Sequence, residues 1–233
     1  MRPFLIATFV LFYISPVFAS VFSEGHGGLG LGEGGQLELH LHLHEGAVVD
    51  GVALTEEAEY EPGKTIILIP NTTRLARPDG TEWDFIGNAA GNDTWVLPQT
   101  YSTGIPFFGI SAEEVTFGAF VDNAITLTLV SVDGPGHFSL YDLAFGVPAV
   151  FMADSDGSTA DDAVIVDLDV SGHCHYNFAF SQAGMYAITF EVSAIDTTLQ
   201  TPVTDEATFI FHVVPEPATL SLLALGIRLL RKK

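Results

Sequence analysis

The chain has 233 residues, 48% of them hydrophobic, with 29 acidic against 8 basic side chains and a formal charge of −21. This apolar content excludes a disordered acidic tail, and the charge argues against nucleic acid and anionic membrane surfaces as partners, because phosphate neutralisation needs clustered cations. A single cysteine excludes an intrachain disulfide framework and a multi-cysteine zinc site.

The first predicted element is a secretory signal peptide over residues 1–19. Arg2 supplies the positive n-region, Phe4–Ile14 the apolar stretch, and Val17-Phe18-Ala19 a small-residue cleavage pattern. Residues 20–35 read as a glycine-rich, mobile leader, with His26 as a loose arm. From 36 to 214 alternation dominates, and the expected fold is all-β: one β-sandwich, Ig-like or jelly-roll-like. Gln36–His44 alternates strictly, with Leu37, Leu39, Leu41 and Leu43 on one face. Further β-rich runs are Thr65–Ile69, Val115–Phe120, Ala124–Val132, Ala163–Val170, His173–Phe180, Met185–Ser193 and Ala207–Val213. Asp133-Gly134-Pro135-Gly136, Asp156-Gly157, Ser171-Gly172 and Ala183-Gly184 punctuate them as turns. Glu56–Gly63 reads as an acidic loop and Arg77–Asn92 as a longer surface excursion. Residues 20–214 hold three cations, Lys64, Arg74 and Arg77, against 28 acids, a field that repels polyanions and attracts divalent cations.

At the C-terminus, Pro215-Glu216-Pro217 precedes the apolar stretch Ala218–Ile227 and the basic residues Arg228, Arg231, Lys232 and Lys233. A proline break, a short apolar helix and a basic end form a stop-transfer pattern. This segment, 215–233, resembles the PEP-CTERM sorting signal of Gram-negative bacteria, with Arg228 interrupting the helix early. The resemblance implies transient anchoring in the inner membrane, recognition by an exosortase, and delivery to the cell surface or extracellular polysaccharide matrix.

The body resembles a second family. Trp95-Val96-Leu97-Pro98-Gln99-Thr100, Gly134-Pro135-Gly136-His137-Phe138-Ser139-Leu140-Tyr141, Ser155-Asp156-Gly157, His173-Cys174-His175-Tyr176-Asn177-Phe178-Ala179-Phe180 and Gly184-Met185-Tyr186 follow in the order of its motifs. They are similar to the choice-of-anchor M, or surface-anchored protein, domain, with Phe178 where that family usually has Trp. The resemblance implies surface display by variable anchors. It also hints at metal handling, since some members sit beside metal-type ABC transporters. It assigns no activity and no site residues.

Five of the eight histidines fall in two alternating clusters. Side chains at i and i+2 of a strand share a face, so His40, His42 and His44 stand together, opposite the leucines. His173 and His175 likewise stand together, opposite Cys174, Tyr176, Phe178 and Phe180. Alternate strand residues lie roughly 6.5–7 Å apart, close enough for two imidazoles to converge on one ion. Zinc is favoured, and imidazole also suits copper and nickel. The expected ligands are His40, His42, His44, His173 and His175, from one cluster or both, with His137 at its turn as an addition. Glu38, Glu45 and Asp169 are expected to orient the rings. Cys174 reads as a small core residue and His212 as core or interface.

A three-residue loop over Ser171-Gly172-His173 is expected to pair Val170 with Cys174 and to set Asp169 opposite His175. Asp154-Ser155-Asp156-Gly157 with Asp161-Asp162 offers oxygen ligands for calcium without matching an EF-hand. No G-x-S-x-G elbow, H-E-x-x-H helix or P-loop is present. The sequence therefore points to a non-enzymatic, surface-displayed metal-binding protein. A structural or adhesive matrix protein and a metal-dependent enzyme are the alternatives.

Overall fold

A computed structural model describes residues 19–215. The signal-peptide reading falls outside this range up to residue 18. So do Glu216, Pro217, Arg231, Lys232, Lys233 and the expected anchor helix of the sorting segment. Among the described residues no helix is long and apolar enough to cross a membrane.

The described chain is all-β. In order, the strands are β1 (Ser20–Glu33), β2 (Gln36–Leu43), β3 (Val48–Val49), β4 (Val52–Ala53), β5 (Ala58–Tyr60), β6 (Thr65–Ile69), β7 (Arg74–Ala76), β8 (Asp93–Leu97) and β9 (Pro106–Ser111). They continue as β10 (Ala124–Asp133), β11 (Phe138–Ala144), β12 (Val147–Ala153), β13 (Ala163–Asp167), β14 (His173–His175), β15 (Asn177–Phe180), β16 (Gly184–Ile195) and β17 (Pro202–Val213). One sheet follows the order β13-β10-β16-β17-β6-β1-β2-β5, with β9, β14, β3 and β4 joined to it through β1. The other follows β12-β11-β15-β8-β7. Inward rows from both sheets form one core, in which Phe22, Phe108, Phe138, Phe178, Phe190 and Phe211 are fully buried.

The glycine-rich segment is not a mobile leader. It is β1, the longest strand described. Its first residues pair in parallel with β6 (Ser20 with Thr65, Phe22 with Ile67). Its later residues pair in parallel with β9 and antiparallel with β2. The register shifts between Phe22 and Glu24, and Gly25 has φ of +95°, a left-handed angle that glycine adopts without Cβ strain. After this irregularity Gly27, Leu29 and Leu31 face the core and His26, Gly28 and Gly30 face away. The leucines supply the hydrophobic reason for order: Leu29 and Leu31 are fully buried. Each such burial is worth about 1.5–3 kcal/mol, enough to hold a ribbon that composition alone marks as loose.

β2 follows the expected parity. Leu39, Leu41 and Leu43 are 3%, 1% and 0% exposed and belong to the core, where β2 packs on β16 and β17. The Leu39 N–H also donates to Asp205 Oδ2 at 2.8 Å, tying β2 to β17.

Local turn logic fails after β13. The chain leaves β13 at Asp167, and β14 pairs instead with β9: His173 with Ser111, Cys174 with Ile110, His175 with Gly109. No pairing of Val170 with Cys174 forms. Asp169 accepts a hydrogen bond from Asn123 rather than standing opposite His175. Tyr176 is the crossing point, because β15 joins the second sheet and pairs with β8 and β11. The run at Val115–Phe120 is mostly turn, with isolated bridges at Val115 and Phe120. The acidic loop at Glu56–Gly63 contains β5, which pairs with β2. Within Arg77–Asn92 a 3-10 helix (Thr81–Ile86) lays Trp83, Phe85 and Ile86 against Tyr141. There the buried Arg77 guanidinium donates to the Trp83 and Gly80 carbonyls and to Asp84.

Candidate metal centre

Five neighbouring strands in the order β14-β9-β1-β2-β5 build the site. Their non-core face carries His173 and His175 on β14, and Phe107, Gly109 and Ser111 on β9. It carries His26, Gly28 and Gly30 on β1, His40 and His42 on β2 with His44 just beyond, and Glu59 on β5. Register puts Gly30 opposite His40, Gly28 opposite His42, and Gly109 opposite His175. The missing side chains make a floor. A Cβ on Gly30 would overlap the His40 ring, and one on Gly109 would lie 2.9 Å from His175 Nδ1 and 3.0 Å from His173 Nε2. Rings from strands that are not neighbours therefore lean over bare backbone and meet.

The two clusters join through His26. Its Nε2 lies 3.2 Å from His173 Nε2 and 3.1 Å from His175 Nε2. Its ring stacks on His44 at 4.0 Å, and the His175 ring stacks on Phe107 at 3.6 Å. Ligands 2.0–2.1 Å from a tetrahedral zinc stand about 3.3–3.4 Å apart, so these nitrogen separations are close to those of a coordination shell. Glu113 Oε2 accepts from His173 Nδ1 at 2.9 Å, which leaves Nε2 of that ring as the free lone pair. This is the carboxylate–histidine arrangement that orients metal ligands.

At the other end, His40 Nε2 is 3.1 Å and His42 Nδ1 3.3 Å from the same oxygen, Glu114 Oε2. His44 Nδ1 lies 3.5 Å from Glu57 Oε1, and His44 Nε2 is buried without a hydrogen-bond partner. Four groups of side chains bring one candidate ligand atom each to within 4.8 Å of the others: His26, His173 and His175; His40, His42, Glu59 and Glu114; His42, His44 and Glu57; and His44, Glu113 and His173.

The electrostatics favour neutral imidazoles at the first end. Burial lowers His26 to about 4, helped by His44, His173 and His175 and opposed by Glu113. Burial likewise lowers His175 to about 4, against the Phe108 backbone and Glu113 and with His173 and His44. A neutral ring keeps the lone pair that a metal needs. Glu113 is lowered although burial acts to raise it, because the hydrogen bond and the proximity of His173 outweigh burial.

Both sequence clusters thus meet, but their setting differs from the expected exposed strand face. His40 and His42 are 6% and 5% exposed. They point away from the leucine core and are covered by the neighbouring rings and carboxylates. His137 stands elsewhere, before β11, with Nδ1 3.5 Å from Asp154 Oδ2, and belongs to none of the four groups. Of the expected orienting carboxylates, Glu38 contributes only its backbone carbonyl, 3.1 Å from His40 Nδ1. Glu45 and Asp169 are outside all four groups. Glu57, Glu59, Glu113 and Glu114 stand in their places. Cys174 packs against the core as expected. In the 154–162 segment offered for calcium, Asp162 accepts from the Ala153 and Thr159 N–H groups, and Asp154 from the Phe138 N–H. These carboxylates cap loop backbone and form no convergent group among the described residues.

Sequence reasoning missed His26 as a central residue. The signal for it was present: His26, Gly28 and Gly30 alternate with Gly27, Leu29 and Leu31 at the period of a strand. No protein-family model, curated protein or solved structure matches the chain.

Proposed function

We propose that this protein is a non-enzymatic, exported, surface-displayed β-sandwich that binds a divalent transition metal, zinc foremost, through His26, His173 and His175. The convergence of three Nε2 atoms from β1 and β14, at separations of 3.1 and 3.2 Å around His26, carries the reading. The neutral state of His26 and His175 and the Glu113 contact to His173 support it. A nitrogen-only ligand set suits zinc, copper and nickel better than calcium or magnesium, which take oxygen. The address rests on the two terminal segments and on the resemblance to the choice-of-anchor M domain. Isothermal titration of the metal-free protein with zinc tests the binding. A saturable site that disappears on replacing His173 and His175 by Asn supports the proposal, and binding unchanged by that replacement overturns it.

A further inference from the structure

We infer that the imidazole row binds two ions at once, the second held by His40, His42, Glu59 and Glu114. This inference rests on the metal-binding reading above and extends it to a separate set of ligands.

Two buried imidazoles converge on one carboxylate oxygen. His40 Nε2 lies 3.1 Å from Glu114 Oε2, while Nδ1 of the same buried ring faces the Glu38 carbonyl oxygen at 3.1 Å. His42 Nδ1 is 3.3 Å from the same carboxylate oxygen, buried, and without a hydrogen-bond partner. A hydrogen on His40 serves one of these contacts, whereas an ion between the three atoms serves both. The edges of 3.1 and 3.3 Å are close to the roughly 3.3–3.4 Å edges of a tetrahedral zinc shell.

Glu59 completes the set from β5, directly across the ladder from His42. Two imidazoles and two carboxylates neutralise a divalent cation, the arrangement that a buried ion requires. None of the four belongs to the His26, His173 and His175 group, so the two sets can fill together. Of the two groups between them, one shares His42 with the mixed end and the other shares His173 with the nitrogen-only end, so each competes with an end and adds no third ion. The donor sets also differ in hardness. The nitrogen-only end suits copper and zinc, and the mixed end accepts zinc and harder ions such as manganese.

Zinc titration of the metal-free full chain, with the bound ion counted by elemental analysis after dialysis, tests the inference. The expected stoichiometry is two ions per chain. Glu114→Gln, an isosteric change at a side chain 34% exposed, should weaken one of the two by ~10–100-fold or more and leave the other unchanged. The His173→Asn/His175→Asn variant should lose the other one. A wild type that binds one ion, lost with His173 and His175 and indifferent to Glu114→Gln, overturns the second site and leaves the first. In that case the His40–Glu114 contact is an ordinary imidazole–carboxylate hydrogen bond. One ion lost on Glu114→Gln and retained without His173 and His175 overturns the first site and the two-ion count while keeping the second set of ligands. No bound ion overturns both. Unchanged circular dichroism of each variant certifies that folding is not the cause.

Discussion

His26 and His44 lie face to face, with ring centroids 4.0 Å apart and planes 9° from parallel, although 17 residues of chain separate them. The contact follows from the ladder between β1 and β2, where the His44 N–H donates to the His26 carbonyl at 3.1 Å. His26 is therefore the hinge between the two histidine clusters, touching β2's row on one side and β14's pair on the other.

Replacing His26 by Ala should reduce zinc affinity by about 100-fold or more, because it removes one of three convergent nitrogens. His137→Ala should leave affinity unchanged. Parallel calorimetric titrations check this, and equal effects of the two substitutions would contradict the assignment.

Glu113→Gln should weaken the same end by about 10-fold, since it removes the charge that fixes the His173 tautomer without removing a ligand. The loss should be smaller than that of His26→Ala in the same assay.

Gly30→Val should destabilise the protein by about 1–3 kcal/mol, the usual range for forcing atoms into a packed site. Its φ is not in the left-handed region, so the penalty is steric and falls on the His40 ring. Urea unfolding measures the loss, and a displaced His40 ring signal in NMR locates it.

The metal-free protein should lose stability as pH falls from about 6.5 toward 4. His26 and His175 take up protons near 6.5 when unfolded but only near about 4 when folded. Between these values the unfolded chain binds more protons, so acid drives unfolding. Glu113, lowered in the fold, adds to the loss below its own unfolded value of 4.5. Denaturant midpoints at pH 7.5 and 5 read the effect, and replacing both histidines by Gln should flatten it.

The strand parity of Gln36–His44 was legible because a leucine row and a histidine row cannot exchange faces without exposing the core. His173, Cys174 and His175 keep their expected faces for the same reason, whereas Asn177, beyond the crossing at Tyr176, is buried in the second sheet against Gln99 and Tyr141. The partner strand of β14 was not legible. Ser171-Gly172 is a good local turn signal, but pairing with β9 packs the half-buried Cys174 against the core, opposite Ile110, and wins over a hairpin with β13. The carboxylates were missed because they arrive from other segments: Glu113 and Glu114 follow β9, and Glu57 and Glu59 lie in or beside β5. β1 was misread because glycine frequency outweighed its period-two pattern. The two buried leucines, not the glycines, determine that it is a strand.

β2 and β14 stand three strand spacings from each other, about 14 Å along the sheet. Their imidazoles nevertheless approach to 5.8 Å, His44 to His173. What permits this is subtraction: backbone stripped of side chains at Gly28, Gly30 and Gly109 lets long neighbours reach inward from both banks. What these glycines contribute is therefore emptiness. A small alkyl group added at any of them would part the two banks while leaving every histidine and glutamate of the chain in place.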